Sequence, residues 1–267
     1  MTGAIRWPTL AWFQLRRQAL RPSPVSRPRI RRLAPVLLSA VALAIFAWTL
    51  RPNPSVPREP VGLFSSMPIL WGEADGLSNL LSNDRAAHRI KSALSARGPI
   101  MPLDTLEALP SELRQLVIVQ PRPLSPVENF KLDGWVRGGG RLLLLADPML
   151  TEPSIYALGD QRRPQDIVLL SPILAQWGLE LTFDEFQPSG LQRHSIGGVT
   201  VPVSLAGAWQ TRNANCRIDG AGVLVTCQIG KGRVVALADA EVAAAQDPEG
   251  LREPALASML DRAFGRP

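Results

Sequence analysis

Acidic side chains stand at points where strands of an α/β sheet are expected to end. Asp147 and Asp239 each follow an uninterrupted apolar run, and Glu73 and Asp75 follow a shorter one. Open α/β sheets bind ligands outside the carboxyl ends of their strands, so these four carboxylates are expected to meet at one rim. They are our candidate ligand-binding residues. The alternative is that each aspartate only caps the turn or helix after its strand.

Nucleophilic and metal-dependent chemistry have little support in the sequence. A serine or cysteine nucleophile needs an activating base, and the chain has two histidines, His88 and His194. Only His194 stands beside a serine, Ser195, and no G-x-S-x-G or G-x-C-x-G elbow occurs. No Cys-x-x-Cys spacing suggests zinc. We therefore predict no catalytic residue, no metal site and no cofactor.

Two glycine-rich stretches resemble phosphate loops but have the wrong context. Phosphate loops follow a strand and open a helix, so that the helix amides meet the phosphate. Residues 138–140 (GGG) instead follow a helical pattern and precede an apolar run, which indicates a helix end and a tight turn. Residues 230–233 (GKGR) lie between two β-like runs and are expected to form a hairpin turn.

The two cysteines of the chain flank a strong turn signal. Cys216 and Cys227 lie on either side of residues 219–222 (DGAG), which places them on facing strands of one hairpin. In an oxidising compartment such a pair is expected to form a disulfide. The alternative is a pair of reduced thiols in the core.

The elements that position these residues alternate between strand and helix patterns. Strands are predicted at 67–71, 100–103, 116–120, 141–146 and 179–183, and helices from 83 or 84 to 96, from 126 to 137, from 167 to 177 and from 254 to 264. Short β-like runs are predicted at 198–203, 209–212, 216–218, 222–229 and 233–238. Ser125, Pro126 and Glu128 form a capping-box pattern before the second helix. This order predicts an α/β fold whose mostly parallel sheet is flanked by helices, with a hairpin-rich C-terminal part.

The N-terminal region predicts a membrane anchor. Residues 33–50 are eighteen uncharged, mainly apolar residues, and as a helix they would span about 27 Å. We divide the chain into a basic tail (1–32), a transmembrane helix (33–50), a proline-rich spacer (51–62) and an α/β domain (63–267). Ala42 and Ala44 leave a cleaved signal peptide as the alternative.

The charge distribution gives the direction of the anchor. The net charge is +6, but residues 1–32 contain eight arginines and no acidic residue. The remainder has 21 basic and 23 acidic residues and is close to neutral, which argues against nucleic acid as a partner. The positive-inside rule places the tail in the cytoplasm and the domain in the periplasm or outside the cell. We expect a bacterial inner membrane with the domain in the periplasm.

Two segments carry a resemblance to a known family. Residues 116–148 (LVIVQPRPLSPVENFKLDGWVRGGGRLLLLADP) and 230–242 (GKGRVVALADAEV) resemble the ABC-transporter auxiliary proteins of the gliding-motility type and a related bacterial domain of unknown function. The resemblance implies a class I glutamine-amidotransferase-like fold, membrane attachment and ABC transporter subunits as partners. The chain lacks the nucleophilic cysteine elbow of true amidotransferases.

Two functions follow as expectations. The first is a non-catalytic, membrane-anchored periplasmic domain that serves as an auxiliary or binding component of an ABC-type transport system. The alternative is a cell-envelope hydrolase or carbohydrate-active enzyme that uses the strand-end carboxylates Asp147 and Asp239 together with Glu73 and Asp75.

Overall fold

A computed structural model describes residues 58–70 and 89–266 of the chain. The predicted tail, the predicted anchor, most of the predicted spacer, and the candidate residues Glu73 and Asp75 lie outside these ranges. None of the helices within the described ranges has the length and apolar character that crossing a bilayer requires.

The described residues form a central sheet, helices and two separate antiparallel strand pairs. The strands are β1 (Val61–Ser65), β2 (Ile100–Pro102), β3 (Gln115–Val119), β4 (Arg141–Leu145), β5 (Leu179–Thr182), β6 (Leu191–Ile196), β7 (Val199–Ser204), β8 (Ala208–Thr211), β9 (Cys216–Asp219), β10 (Leu224–Ile229) and β11 (Gly232–Leu237). The α-helices are α1 (Arg89–Arg97), α2 (Pro126–Arg137), α3 (Ser171–Gln176) and α4 (Arg252–Phe264). Short 3-10 turns lie at Gly220–Gly222 and Glu241–Ala243.

The central sheet has seven strands in the order β2-β1-β3-β4-β11-β10-β9. The strands from β2 to β11 run parallel, whereas β10 and β9 are added antiparallel at one side. Two separate pairs, β5 with β8 and β6 with β7, are antiparallel. The predicted α/β fold with a mostly parallel sheet is therefore confirmed.

Both faces of the sheet are covered, which explains why its central strands are continuous apolar runs. On one face α1 and α4 pack on alternate residues such as Val117 and Leu143, and the β6–β7 pair joins this core. On the other face α2 and α3 pack on the intervening residues such as Leu116 and Leu142, and the β5–β8 pair joins that core. The sheet is the middle layer of three.

Helix α2 begins and ends as its sequence predicts. The Ser125 side chain accepts a hydrogen bond from the Glu128 N–H, and the Glu128 side chain accepts one from the Ser125 N–H, which is a complete capping box. After the helix, Gly140 leads directly into β4. A Cβ on Gly140 would lie 2.4 Å from the Trp135 ring, so this tight turn needs glycine.

The structure corrects three of the predicted elements. The first strand is Val61–Ser65 and not 67–71, so it begins inside the segment predicted as spacer. Helix α3 starts at Ser171, four residues after its predicted start. The strand Leu191–Ile196 is an element that the sequence pattern did not reveal, because its residues are mostly polar and half-exposed.

Cys216 and Cys227 are directly opposite each other in the β9–β10 pair and are joined by a disulfide. The bond ties the outermost strand of the sheet to its neighbour. We expect replacement of both cysteines by alanine to lower the free energy of unfolding by about 2–3 kcal/mol, because the unfolded chain loses a short covalent loop.

Urea denaturation of the oxidised wild type and the double-alanine variant measures this loss. Wild-type protein treated with a phosphine reductant serves as the control and should show the same loss. Equal midpoints for the oxidised and reduced wild type would contradict the prediction.

Candidate functional site

The carboxyl ends of the parallel strands meet at one edge of the sheet. Val119, Leu145 and Leu237 are aligned in register across β3, β4 and β11. The next residues of β4 and β11 lead into Asp147 and Asp239, so the sheet brings these two predicted site residues together. We call this side of the sheet the carboxyl edge.

Asp147 is buried at the carboxyl edge, with 2% of its surface exposed. One carboxylate oxygen accepts a hydrogen bond from the Met149 N–H at 2.8 Å. The other accepts one from the Ala240 N–H at 3.2 Å, which ties the end of β4 to the chain that follows β11. Both oxygens are therefore engaged by backbone N–H groups.

Asp239 is fully buried and is bound in the same way. Its Oδ2 accepts a hydrogen bond from the Ser204 N–H at 2.8 Å, at the end of β7. Its Oδ1 accepts one from the Glu241 N–H, at the start of the 3-10 turn. This carboxylate thus fastens the β6–β7 pair to the carboxyl edge.

The two carboxyl groups disfavour each other's charge. Burial raises the pKa of Asp147 to about 6, and the backbone N–H bonds from Met149 and Ala240 only partly offset this rise. Burial also raises the pKa of Asp239 well above its usual value, and the negative charge of Asp147 raises it further. The pair consequently retains a proton at a pH where exposed aspartates have lost theirs.

Gln120 is a third residue of this edge, and it was not among the residues predicted to form the site. It is fully buried at the end of β3 with a φ of 41°, an uncommon backbone conformation for a side-chain-bearing residue. Its amide accepts a hydrogen bond from the Asp147 N–H at 2.9 Å and donates one to the Asp147 carbonyl at 3.0 Å. An amide-bearing residue directly after the run LVIV was the signal available in the sequence.

The segment around Gln165 closes the edge above Gln120. The Gln120 side chain donates to the Gln165 carbonyl at 2.8 Å. The Ser66 hydroxyl donates to the Gln120 carbonyl and accepts from the Gln165 N–H. The Val168 N–H donates to the Asp147 carbonyl at 3.0 Å. The ends of β1, β3 and β4 are therefore covered by this segment.

The other two candidate residues, Glu73 and Asp75, lie outside the described ranges, so the structure places only Asp147 and Asp239 at this edge. His194 lies on β6 opposite Val201, and its neighbour Ser195 is exposed on the same strand. His88 lies outside the described residues, like Glu73 and Asp75. Among the residues that the structure describes, no cluster of three His, Cys, Asp or Glu side chains is placed to hold a metal ion.

An open cleft of about 650 Å³ lies beside the closed edge, between α3, β5 and β8. Pro148, the residue after Asp147, lines one side of it. No sequence motif marks this cleft, because its walls come from segments far apart in the chain.

Three solved structures illustrate what this fold is similar to. The N-terminal domain of mmIFT52 has a TM-score of 0.50 at 9% identity, covering 78% of this chain and 97% of that domain. An exo-β-1,4-mannosidase from Opitutaceae bacterium strain TAV5 has a TM-score of 0.48 at 15% identity, covering 86% and 39%. A ThuA-like protein from Bacteroides uniformis has a TM-score of 0.43 at 8% identity, covering 80% and 93%.

These likenesses concern the fold alone, since the identities are low and the chain spans only 39% of the mannosidase. No protein-family model matches the sequence. No curated protein is similar to it in sequence.

The comparisons contradict the prediction that the chain is not an enzyme. Glycoside hydrolases, among them a mannosidase and β-galactosidases, are included in the solved structures that it resembles. That prediction rested on missing motifs, above all the nucleophile elbow, and glycoside hydrolysis needs no such elbow because it uses paired carboxylates. Enzymatic activity is therefore not excluded by the sequence.

Proposed function

We propose that this chain is a membrane-anchored protein of the bacterial envelope whose α/β domain is a binding component associated with an ABC-type transport system. In this proposal residues 33–50 are the transmembrane helix, the domain is periplasmic, and its sheet is of the class I glutamine-amidotransferase-like type. The family resemblance of residues 116–148 and 230–242 supports the association.

One structural observation carries the binding role. The carboxylate oxygens of Asp147 and Asp239 accept hydrogen bonds from backbone N–H groups of the same chain, and both residues are buried. Carboxylates engaged in this way shape the loops at the carboxyl edge and leave binding to the open surface beside it. The cleft between α3, β5 and β8 is such a surface.

Affinity purification from the native membrane tests the association. The full chain, tagged at its C-terminus, is solubilised in mild detergent and its partners are quantified by mass spectrometry. We expect the permease and ATPase subunits of one ABC transporter to be enriched at least tenfold over an unrelated tagged single-pass protein at equal abundance. Repeated recovery of the chain without any ABC subunit would contradict the association.

A second candidate is an envelope hydrolase or carbohydrate-active enzyme, and the pKa of Asp147 favours it. A carboxyl group whose pKa is raised to about 6 can serve as a general acid near neutral pH, provided that substrate reaches it. In a panel of envelope glycans, Asp147→Asn and Asp239→Asn should abolish any hydrolysis found, while Glu185→Gln, at an exposed carboxylate, should not. Retained hydrolysis in both folded asparagine variants would remove this candidate.

A further inference from the structure

The cleft between α3, β5 and β8 has an apolar wall and a charged wall. Ile167 and Phe183 contribute apolar surface to it. Ile167 is 52% exposed and Phe183 is 36% exposed, so both side chains present uncovered apolar surface to the cleft. A volume of about 650 Å³ is within the range of small-molecule sites.

The charged wall is formed by Glu180 and Arg212. Glu180 lies opposite Gln210 in the β5–β8 pair, and Arg212 is two residues beyond Gln210, so all three project from the same face of the pair. The Arg212 N–H donates to the Gly178 carbonyl at 2.9 Å, which extends the pairing to this position. The two charged side chains are therefore diagonal neighbours across the strands.

Neither charged side chain has a partner among the described residues. The Glu180 carboxylate and the Arg212 guanidinium make no side-chain hydrogen bond and no ion pair within residues 58–70 and 89–266. Several arginines elsewhere in the described ranges are paired, such as Arg162 with Asp160 and Arg163 with Asp166. The cleft therefore offers a ligand three kinds of contact, namely one negative charge, one positive charge and an apolar surface.

We infer that this cleft binds an α-amino-acid zwitterion with an apolar side chain, either free or as a short peptide. The Arg212 guanidinium binds the ligand carboxylate, because its planar fork matches two carboxylate oxygens. The Glu180 carboxylate binds the ligand ammonium group, and the apolar side chain of the ligand packs against Ile167 and Phe183. The inference rests on the proposed binding role and names its ligand class.

Calorimetric titration of the purified full chain tests the inference. The probes are L-leucine, Leu-Leu and Leu-Leu-Leu, which differ in the separation of their two charges. We expect saturable binding of at least one of them, and at least tenfold weaker binding of its N-acetyl and its C-amide derivatives. Absence of saturable binding of all three zwitterions to the folded chain would overturn the inference, and so would equal affinity for the blocked derivatives.

Two variants assign the contacts and a third serves as a matched control. Arg212→Gln should bind the zwitterion and its C-amide equally, whereas Glu180→Gln should bind the zwitterion and its N-acetyl derivative equally. Glu185→Gln removes a nearby exposed carboxylate that does not line the cleft, and should bind as the wild type does. If discrimination persists in both cleft variants, the assignment is wrong.

Failure here is distinguishable from failure of the proposed function. Enrichment of ABC subunits with no zwitterion binding would remove only the ligand class. Zwitterion binding without any ABC subunit would retain the cleft and remove the transport association.

Discussion

Replacement of Glu128 by glutamine is expected to lower the free energy of unfolding by about 2–3 kcal/mol at neutral pH. Glu128 is 1% exposed, although it lies in the first turn of α2. Its carboxylate accepts hydrogen bonds from both terminal nitrogens of Arg122, at 2.8 and 2.7 Å. The Arg122 side chain is 43% exposed, so water can solvate its charge once the partner is gone. The loss therefore comes mainly from the donors around Glu128 that are left without an acceptor.

The same carboxylate also fixes the loop before β3. It accepts hydrogen bonds from the Leu106 N–H at 3.1 Å, from the Thr105 hydroxyl at 3.0 Å and from the Ser125 N–H at 2.8 Å. A glutamine has one acceptor oxygen and an NH2 group that would face these donors, so the N–H groups lose partners. We expect the variant to be most destabilised at this loop.

The pH dependence of stability distinguishes the loss of the Glu128 charge from a simple loss of packing. The hydrogen bonds from Arg122 are the largest cause that lowers the pKa of Glu128 to about 2. Because this value is below that of the unfolded chain, the stabilisation is fully present above about pH 4.3 and is lost as the pH falls toward 2. Urea denaturation from pH 2 to pH 7 should show this acid-dependent loss in the wild type and much less of it in Glu128→Gln.

Glu112→Gln is the matched control, since it changes an exposed glutamate of the preceding loop. Its stability should stay within about 0.5 kcal/mol of the wild type. Equal midpoints for the wild type and Glu128→Gln at pH 7 would refute the prediction.

The core of the fold was predictable where local signals and global packing agree. The segment from Ser125 to Leu145 contains a capping box, a glycine turn and an uninterrupted apolar run, and each signal is realised in the structure. The hairpin at residues 230–233 was predictable for the same reason, because a turn signal stands between two β-like runs. Local sequence signals were therefore sufficient to predict these elements.

The first strand was not predictable from local signals. Gly62 weakens the strand pattern of Val61–Ser65, and a proline-rich stretch precedes it. The structure explains the glycine, since a Cβ there would lie 3.0 Å from the side chains of Leu113 and Leu116. Pairing with both β2 and β3 therefore overrides the weak propensity of this segment, and such pairing is not visible in the sequence.

The candidate site was predictable in position but not in environment. Two aspartates after apolar strands are sufficient to place Asp147 and Asp239 at one edge. Their burial depends on Ser204 and on the segment around Gln165, which reach the edge from distant parts of the chain. The cleft residues Glu180 and Arg212 meet only through the β5–β8 pairing. No local sequence pattern predicts the burial of the two aspartates or the proximity of Glu180 and Arg212.

The raised pKa of Asp147 at the carboxyl edge predicts that the wild type loses at least about 3 kcal/mol of stability between pH 4 and pH 7. The pKa of Asp147 is raised to about 6, mainly by burial, so the folded chain retains a proton that the unfolded chain has lost. When the folded state binds more protons, stability falls as the pH rises, and it continues to fall until the folded pKa is passed. Asp239 adds to this dependence in the same direction.

Asp147→Asn should reduce the pH dependence to the part that Asp239 contributes, and it should also lower the stability at pH 4 by about 1–3 kcal/mol. The asparagine side chain keeps one acceptor oxygen, so the N–H of Met149 or of Ala240 loses its partner in a buried position. The difference from the wild type therefore narrows as the pH rises, because only the wild type has a carboxyl group at this position to ionise. Asp184→Asn, at an exposed aspartate, should retain the wild-type slope. Parallel stability curves for the wild type and Asp147→Asn would show that Asp147 does not titrate in this range.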